Sequence, residues 1–165
     1  MKDEKLWKIL DNVNKWLEYA EKKNALILTF IGLQITFVNI YEHDAGAIEF
    51  VSLFVLGACF LLTLISFYPK TKIPRWATWL PYSEDSPLED DNLLFFGHIV
   101  KYSSSEYIVA LEKKFNESLK GEKYYEDICS QIVVNSQIVN AKYQLFKINF
   151  WLIFVGQILL FSAFV

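Results

Sequence analysis

With 165 residues the chain has the length of a single domain. Of these, 53% are hydrophobic, 17% aromatic and only 21% charged, and the mean hydropathy is +0.23, an oily balance that disfavours an ordinary soluble domain. A net charge of -3 lacks the basic footprint that DNA or RNA binding needs, so no nucleic-acid partner is expected.

In chain order, Lys2 to Lys23 carry Leu6, Leu10, Val13, Leu17 and Ala20 at a 4-3-4-3 spacing, which makes one apolar stripe on a helix. The stripe covers too few heptads to define a seam between copies, so packing against the protein's own helices is the expectation. The first window without Asp, Glu, Lys or Arg follows at once, from Ala25 to Tyr41, and two more run from Phe50 to Tyr68 and from Ile148 to Val165. They hold 17, 19 and 18 residues, and a helix needs roughly 17 to 25 to cross a bilayer. One small domain has no room to bury three such helices on every face. The predicted fold class is therefore an all-α membrane protein with three transmembrane helices. Its expected parts are an amphipathic cytoplasmic helix (1–23), a transmembrane hairpin (24–68), a cytoplasmic helical region (69–147) and a third span (148–165), with long helices continuing into the first and third spans.

All sixteen Lys and Arg lie in Met1 to Asn24 and Pro69 to Lys147, and none in Glu42 to Glu49. The positive-inside rule then sets the N-terminus and the middle segment in the cytoplasm and Val165 on the far side. Ala45-Gly46-Ala47 has the form of a signal-peptide cleavage site, but the charged segment and the window before it are too long, so the first span is expected to be retained.

After the second span, Pro69, Pro74 and Pro81 interrupt any long helix, and Lys70, Lys72 and Arg75 beside Trp76 and Trp79 have the composition of a segment at headgroup level. The acidic stretch Glu84, Asp85, Glu89, Asp90 and Asp91 reads as a solvated loop, since the Ca²⁺-loop spacing with its central Gly is absent. No metal site is expected, because His43 and His98 fall on opposite sides of the membrane; nor is a disulfide expected between Cys59, mid-span, and Cys129. Ser103 and Glu106 form a capping-box pattern ahead of Ile108, Leu111 and Phe115 on one helical face. Past Gly121, the series Tyr125, Ile128, Ile132, Asn135, Val139, Lys142 and Phe146 advances by three and four into the third span with no breaker, a helix of some forty residues.

Polar residues interrupt this pattern. Gln131, Asn135 and Lys142 lie within about 40° of one another at 3.6 residues per turn, and Asn135 and Lys142 replace expected apolar residues. Two readings stay open: a register-setting hydrogen bond or ion pair in a helical bundle, or a pocket whose amides read a base edge while Lys142 meets a phosphate. In the spans, Gln34, Asn149 and Gln157 either join neighbouring helices or face a water-filled path between protomers. No charge lies deep in any span, which weighs against a pump or proton-coupled transporter. No nucleophile with a base, paired catalytic carboxylates or phosphate-cradling Gly loop is visible, so no catalytic residue is assigned and an enzyme is not expected.

Four stretches also carry a resemblance. They are Glu21-Lys22-Lys23-Asn24-Ala25, then Leu94-Phe95-Phe96-Gly97-His98-Ile99, then Ser105-Glu106-Tyr107, and last Gln131-Ile132, Asn135-Ser136 and Lys142-Tyr143 ahead of the third span. In order and spacing the sequence resembles the transmembrane effectors of bacterial Pycsar antiphage defence, with Glu21 where Asp is common and Asn24 where a smaller residue is common. The resemblance implies a cytoplasmic sensor that binds a cyclic nucleotide of the cCMP or cUMP class as activating ligand, without any other cofactor, and helices that impair the inner membrane. On that reading Gln131, Asn135, Ser136, Lys142, Tyr143, Phe96 and His98 are candidate ligand contacts, and a homo-oligomer in the lipid bilayer is expected. Phe96 and His98 also have plain structural roles open to them, packing a loop and bonding backbone. The alternative is a structural or assembly subunit whose long helices bind a partner protein in the membrane.

Overall fold

The computed structural model describes residues 2–40, 47–68, 86–119 and 121–163, and over these it is helical without a strand. The helices are α1 (Lys2–Ile40), α2 (Ala47–Phe67), the single turn α3 (Phe96–Ile99), α4 (Ser104–Phe115) and α5 (Lys123–Ala163). Ala45, Gly46 and His43, the Pro69 to Pro81 segment with its Lys70, Lys72, Arg75, Trp76 and Trp79, the acidic Glu84 and Asp85, and Val165 lie outside the described residues. The chain divides into two compact units, one from Met1–Tyr19 and Lys70–Lys142, the other from Ala20–Pro69 and Tyr143–Val165.

In the first unit the stripe expected on α1 is its buried face: Leu6, Leu10 and Val13 are buried, joined by Ile9, while Leu17 is half-buried. Asp3 and Glu4 in the first turn suit the positive end of the helix dipole, and the Glu4–Lys8 and Asp11–Lys15 pairs, each 2.7 Å, brace the exposed side. The α5 residues Ile128, Ile132 and Val139 of the predicted series are buried as well. Between the two helices Trp7 Nε1 donates to the Tyr124 hydroxyl at 3.1 Å and Asn14 Oδ1 accepts from Asn135 Nδ2 at 2.8 Å. Packing within the chain therefore accounts for the α1 stripe.

α4 begins as its sequence dictates. Ser103, extended at φ -71° and ψ 161°, accepts from the Glu106 N–H, and the Glu106 carboxylate returns a bond to the Ser103 N–H. Ile108 and Leu111 point into the core, and Asn116 in the left-handed region (φ 51°) ends the helix. α5 follows with 41 residues, about 60 Å at ~1.5 Å per residue.

The second unit is inverted. On α2, Ser52, Leu56, Cys59, Thr63 and Ser66 recur at 4-3-4-3 spacing and are all fully buried, whereas Phe50, Phe54, Leu61 and Leu64 are exposed. Thr29, Thr36 and Thr63 each donate to the carbonyl four residues back. Two helices, not the three expected, are long and apolar enough over the described residues to cross a membrane: α2 across Phe50–Phe67 and α5 within Lys123–Ser162. α1, which carries the expected first span, is not one of the two among the described residues. Only 28% and 22% of the two segments is buried, unlike a core helix of a soluble domain.

Replacing Ser103 with Ala removes the side-chain cap on the Glu106 N–H and leaves the backbone N–H bond to the Glu106 carboxylate in place. It should cost about 1 kcal/mol of stability, read as a lowered midpoint in thermal unfolding of the detergent-solubilised protein.

Candidate functional site

The candidate ligand residues fall into separate groups. Gln131 and Asn135, one turn apart on α5, form an amide ladder: Gln131 Nε2 donates to Asn135 Oδ1 at 2.6 Å, and Asn135 Nδ2 donates on to Asn14 of α1 at 2.8 Å. Gln131 and Asn14 are exposed, so the ladder's outer edge faces solvent. Ser136, next to Asn135, points the other way; it is fully buried and its hydroxyl has no hydrogen-bond partner. Lys142 is only 4% exposed, an unusual place for an ammonium group. Tyr143 belongs to the second unit, where its ring lies 4.9 Å from Lys23 Nζ in a cation-π contact shared with Phe146 at 5.3 Å.

Phe96 and His98 stand in the segment ahead of α4. Phe96 is buried, its ring 5.5 Å from that of Trp16 on α1 and 4.7 Å from that of Phe95. Gly97 follows because the Phe95 ring folds back over it: a Cβ there would come within 2.6 Å of Phe95 Cε1. The half-buried His98 accepts the Asn92 N–H at Nδ1, at 2.7 Å, which places the ring proton on Nε2. That Nδ1 lies 3.4 Å from Asp91 Oδ1, but with its lone pair engaged it donates nothing to the carboxylate.

Asp91 corrects the reading of the acidic stretch as a solvated loop. Glu89 and Asp90 are exposed, but the Asp91 side chain is 2% exposed and organises the whole segment. Its Oδ1 accepts from Lys101 Nζ at 2.8 Å, and its Oδ2 accepts from the Leu88 N–H at 2.9 Å. The Tyr102 hydroxyl lies 3.1 Å from both Asp91 Oδ2 and the Leu88 carbonyl, with one proton to share. Burial works against the Asp91 charge, but the Leu88 N–H, Lys101 and Tyr102 outweigh it and hold the carboxyl below its ordinary value. Burial and then the Asp91 carboxylate push the Tyr102 hydroxyl up to about 12. Burial also raises the Cys129 thiol to about 11, so it is a packing residue and not a nucleophile.

An open cavity of about 800 Å³ lies beside this segment, lined by Leu88, Glu89, Asp90, Tyr102, Glu106 and Lys113 among others. None of the candidate ligand residues lines it. Its carboxylates outnumber its cations, and Lys113 is already paired with Glu89 at 2.6 Å, so it is unsuited to a phosphate. Among the described residues no group of three or more His, Cys, Asp or Glu could hold a metal ion.

The polar residues of the spans meet across helices in the second unit. Asn149, fully buried, donates from Nδ2 to Thr63 Oγ1 at 3.1 Å; Asn24, 1% exposed, donates to Ser66 Oγ at 2.8 Å; and Ser52 donates to the Gly156 carbonyl at 3.1 Å. Gln34 and Gln157 are half-buried. Asn24, Ser52, Thr63 and Ser66 were not among the polar groups singled out in the spans. The signal was present in the heptad-like recurrence of small and hydroxyl residues on α2, at Ser52, Cys59, Thr63 and Ser66.

These features define an all-helical protein in which a conventional helical unit is joined to a bundle with polar groups inside and apolar groups outside, the pattern of a membrane. The chain belongs to the family described as the Pycsar effector protein domain, whose model matches residues 5–165. It is similar to the Pycsar effector protein PtPycTM of Propioniciclava tarda, with 25% identity over 142 residues. That alignment covers 83% of this chain and 66% of the relative, so the chain spans just under two thirds of the relative's length. No solved structure matches.

The folded-state carboxyl of Asp91 titrates below its unfolded value, so the stability it contributes is complete above about pH 4 and is lost as pH falls through the lower, folded value. Asp91→Ala leaves Lys101 buried without this partner and should cost roughly 3 to 5 kcal/mol at pH 7. The variant should also lose part of the acid-induced drop in melting temperature, measured between pH 7 and pH 3.

Proposed function

We propose that the protein is an antiphage-defence effector of the bacterial inner membrane. Its first unit takes up a cyclic nucleotide of the cCMP or cUMP class, and its second unit impairs the membrane when that ligand binds. The observation that carries this reading is the family match, which runs through both units from residue 5 to residue 165. The inverted second unit supports a membrane role, because only a surrounding of lipid makes exposed Phe54 and buried Thr63 the stable arrangement. The topology that fits is three spans, α1 supplying the first, with the N-terminus and residues 69–147 in the cytoplasm and the C-terminus outside. Assembly into a homo-oligomer is part of the proposal.

For the ligand, the amide ladder of Asn14, Gln131 and Asn135 is the favoured reading element. It offers donors and acceptors on a solvent-facing edge, as a pyrimidine edge requires, and its members brace α1 against α5. Lys142, Ser136 and Tyr143 follow on the same helix, Lys142 as the candidate phosphate partner. To invert a resting population of 1:99, the ligand must favour the active state by about 5.5 kcal/mol.

The test uses the purified protein in liposomes. Cyclic CMP or cyclic UMP should bind, by calorimetry, and should release a trapped dye that is retained without nucleotide. Binding without release would reject the coupling, and no binding across a panel of cyclic nucleotides would reject the messenger. Asn135→Leu should weaken binding by about 1 to 3 kcal/mol with little change in melting temperature, since its bonds are at the surface.

A further inference from the structure

The inward faces of the second unit change character along their length. On α2 the order is Ser66, Thr63, Cys59, Leu56, Ser52, so two fully buried hydroxyl positions are separated from a third by two apolar ones. From Thr63 to Ser52 is roughly 16 Å at ~1.5 Å per residue, about half of a bilayer's hydrocarbon core. On α1 Asn24 is followed by Ile27 and Ile31, and on α5 Asn149 is followed by Leu152 and Ile153 and then by Gly156 and Gln157. Ile27, Ile31 and Cys59 form one buried cluster, with Val55, Leu152 and Ile153 packed on it. The contacts give the same order: Asn24–Ser66 and Asn149–Thr63 on one side of this cluster, and Ser52 with the Gly156 carbonyl on the other.

Both polar layers are under-used. Asn24 Oδ1 and Asn149 Oδ1 are buried with no donor, on residues 1% and 0% exposed, and Gln157 Nε2 is buried with no acceptor. A buried amide oxygen without a donor is costly in an apolar interior, and water or a small cation is what would satisfy it. Both vacant groups on the Asn24 and Asn149 side are acceptors.

We propose that α1, α2 and α5 of one protomer enclose a path for water and small monovalent cations, closed at rest by a hydrophobic gate of Ile27, Ile31 and Cys59, which Leu56 extends one turn along the buried face of α2. An apolar constriction between two polar layers excludes water while it is narrow and wets when it widens slightly. This deepens the proposed membrane impairment and rests on it: the bilayer is breached through the polar interior of the bundle and not by loosening lipid around it.

The chain carries its own reporter, since Cys59 sits in the gate and the other cysteine, Cys129, is buried in the first unit. In liposomes, a charged, membrane-impermeant methanethiosulfonate should leave Cys59 unmodified without nucleotide and modify it when cyclic CMP or cyclic UMP is present, with mass spectrometry assigning the modified thiol. Leu56→Ser should leak potassium without nucleotide at least tenfold faster than Leu56→Met, with nucleotide binding by both variants as the check on folding. If the wild type binds nucleotide and does not leak, the proposed function fails; the gate then stands on a leaking Leu56→Ser and falls with a silent one. If the wild type leaks while Cys59 stays unmodified and Leu56→Ser leaks no more than Leu56→Met, the gate is overturned and the function is kept. Should Leu56→Ser not bind nucleotide, the modification of wild-type Cys59 decides alone.

Discussion

In the second unit, a polar group that water does not reach is stabilised only by a partner inside the protein, and Asn24 Oδ1, Asn149 Oδ1 and Gln157 Nε2 are left without one. α2 shows how strongly this constraint acts, because it carries no charge between Phe50 and Tyr68 and its outer face is Phe, Val, Leu and Ile. Burying apolar area cannot choose which face of such a helix turns inward when lipid is as apolar as the helix itself. The choice is made by Ser52, Thr63 and Ser66, whose bonds to α5 and α1 are each worth about 0.6 to 2 kcal/mol. The orientation of α2 between its neighbours depends on those three side chains.

The first unit obeys the opposite rule. Its core is assembled by burying Leu6, Val13, Leu111, Ile132 and Val139, and few polar groups enter it. Asp91 is the main exception and the reason the segment before α4 has a fixed shape. One carboxylate receives an ammonium, an amide N–H and a phenol, each from a different residue between Leu88 and Tyr102. Such a pair adds little net stability compared with apolar residues of the same volume, so its service is to specify one conformation for the loop that presents Phe96 to Trp16.

Much of this was legible from the residues. The Ser103–Glu106 cap, the α1 stripe and the length of α5 all follow from local spacing, and local spacing is what a sequence displays directly. Asp91 was not legible, since nothing in a run of acids distinguishes the one that will meet Lys101 ten residues later from its exposed neighbours Glu89 and Asp90. The partner of Asn135 was hidden for the same reason, Asn14 being 121 residues away. The hydroxyl stripe of α2 was in plain view but muted, because Ser and Thr barely lower the hydropathy of an apolar window, and its meaning came only from the helices that receive it.

The threonines of the second unit bear on how the protein is made. Thr29, Thr36 and Thr63 bond the carbonyl four residues back in their own helix, so each is satisfied before any neighbouring helix is present. The amides of Asn24 and Asn149 have no such local outlet and bond only across helices. During biosynthesis each segment can thus partition into lipid singly with its hydroxyls already quenched, and the asparagines then select the neighbour. A nascent chain halted before residue 149 would present Thr63 with its own bond made but its acceptor side idle, and closure of the bundle waits on the arrival of α5.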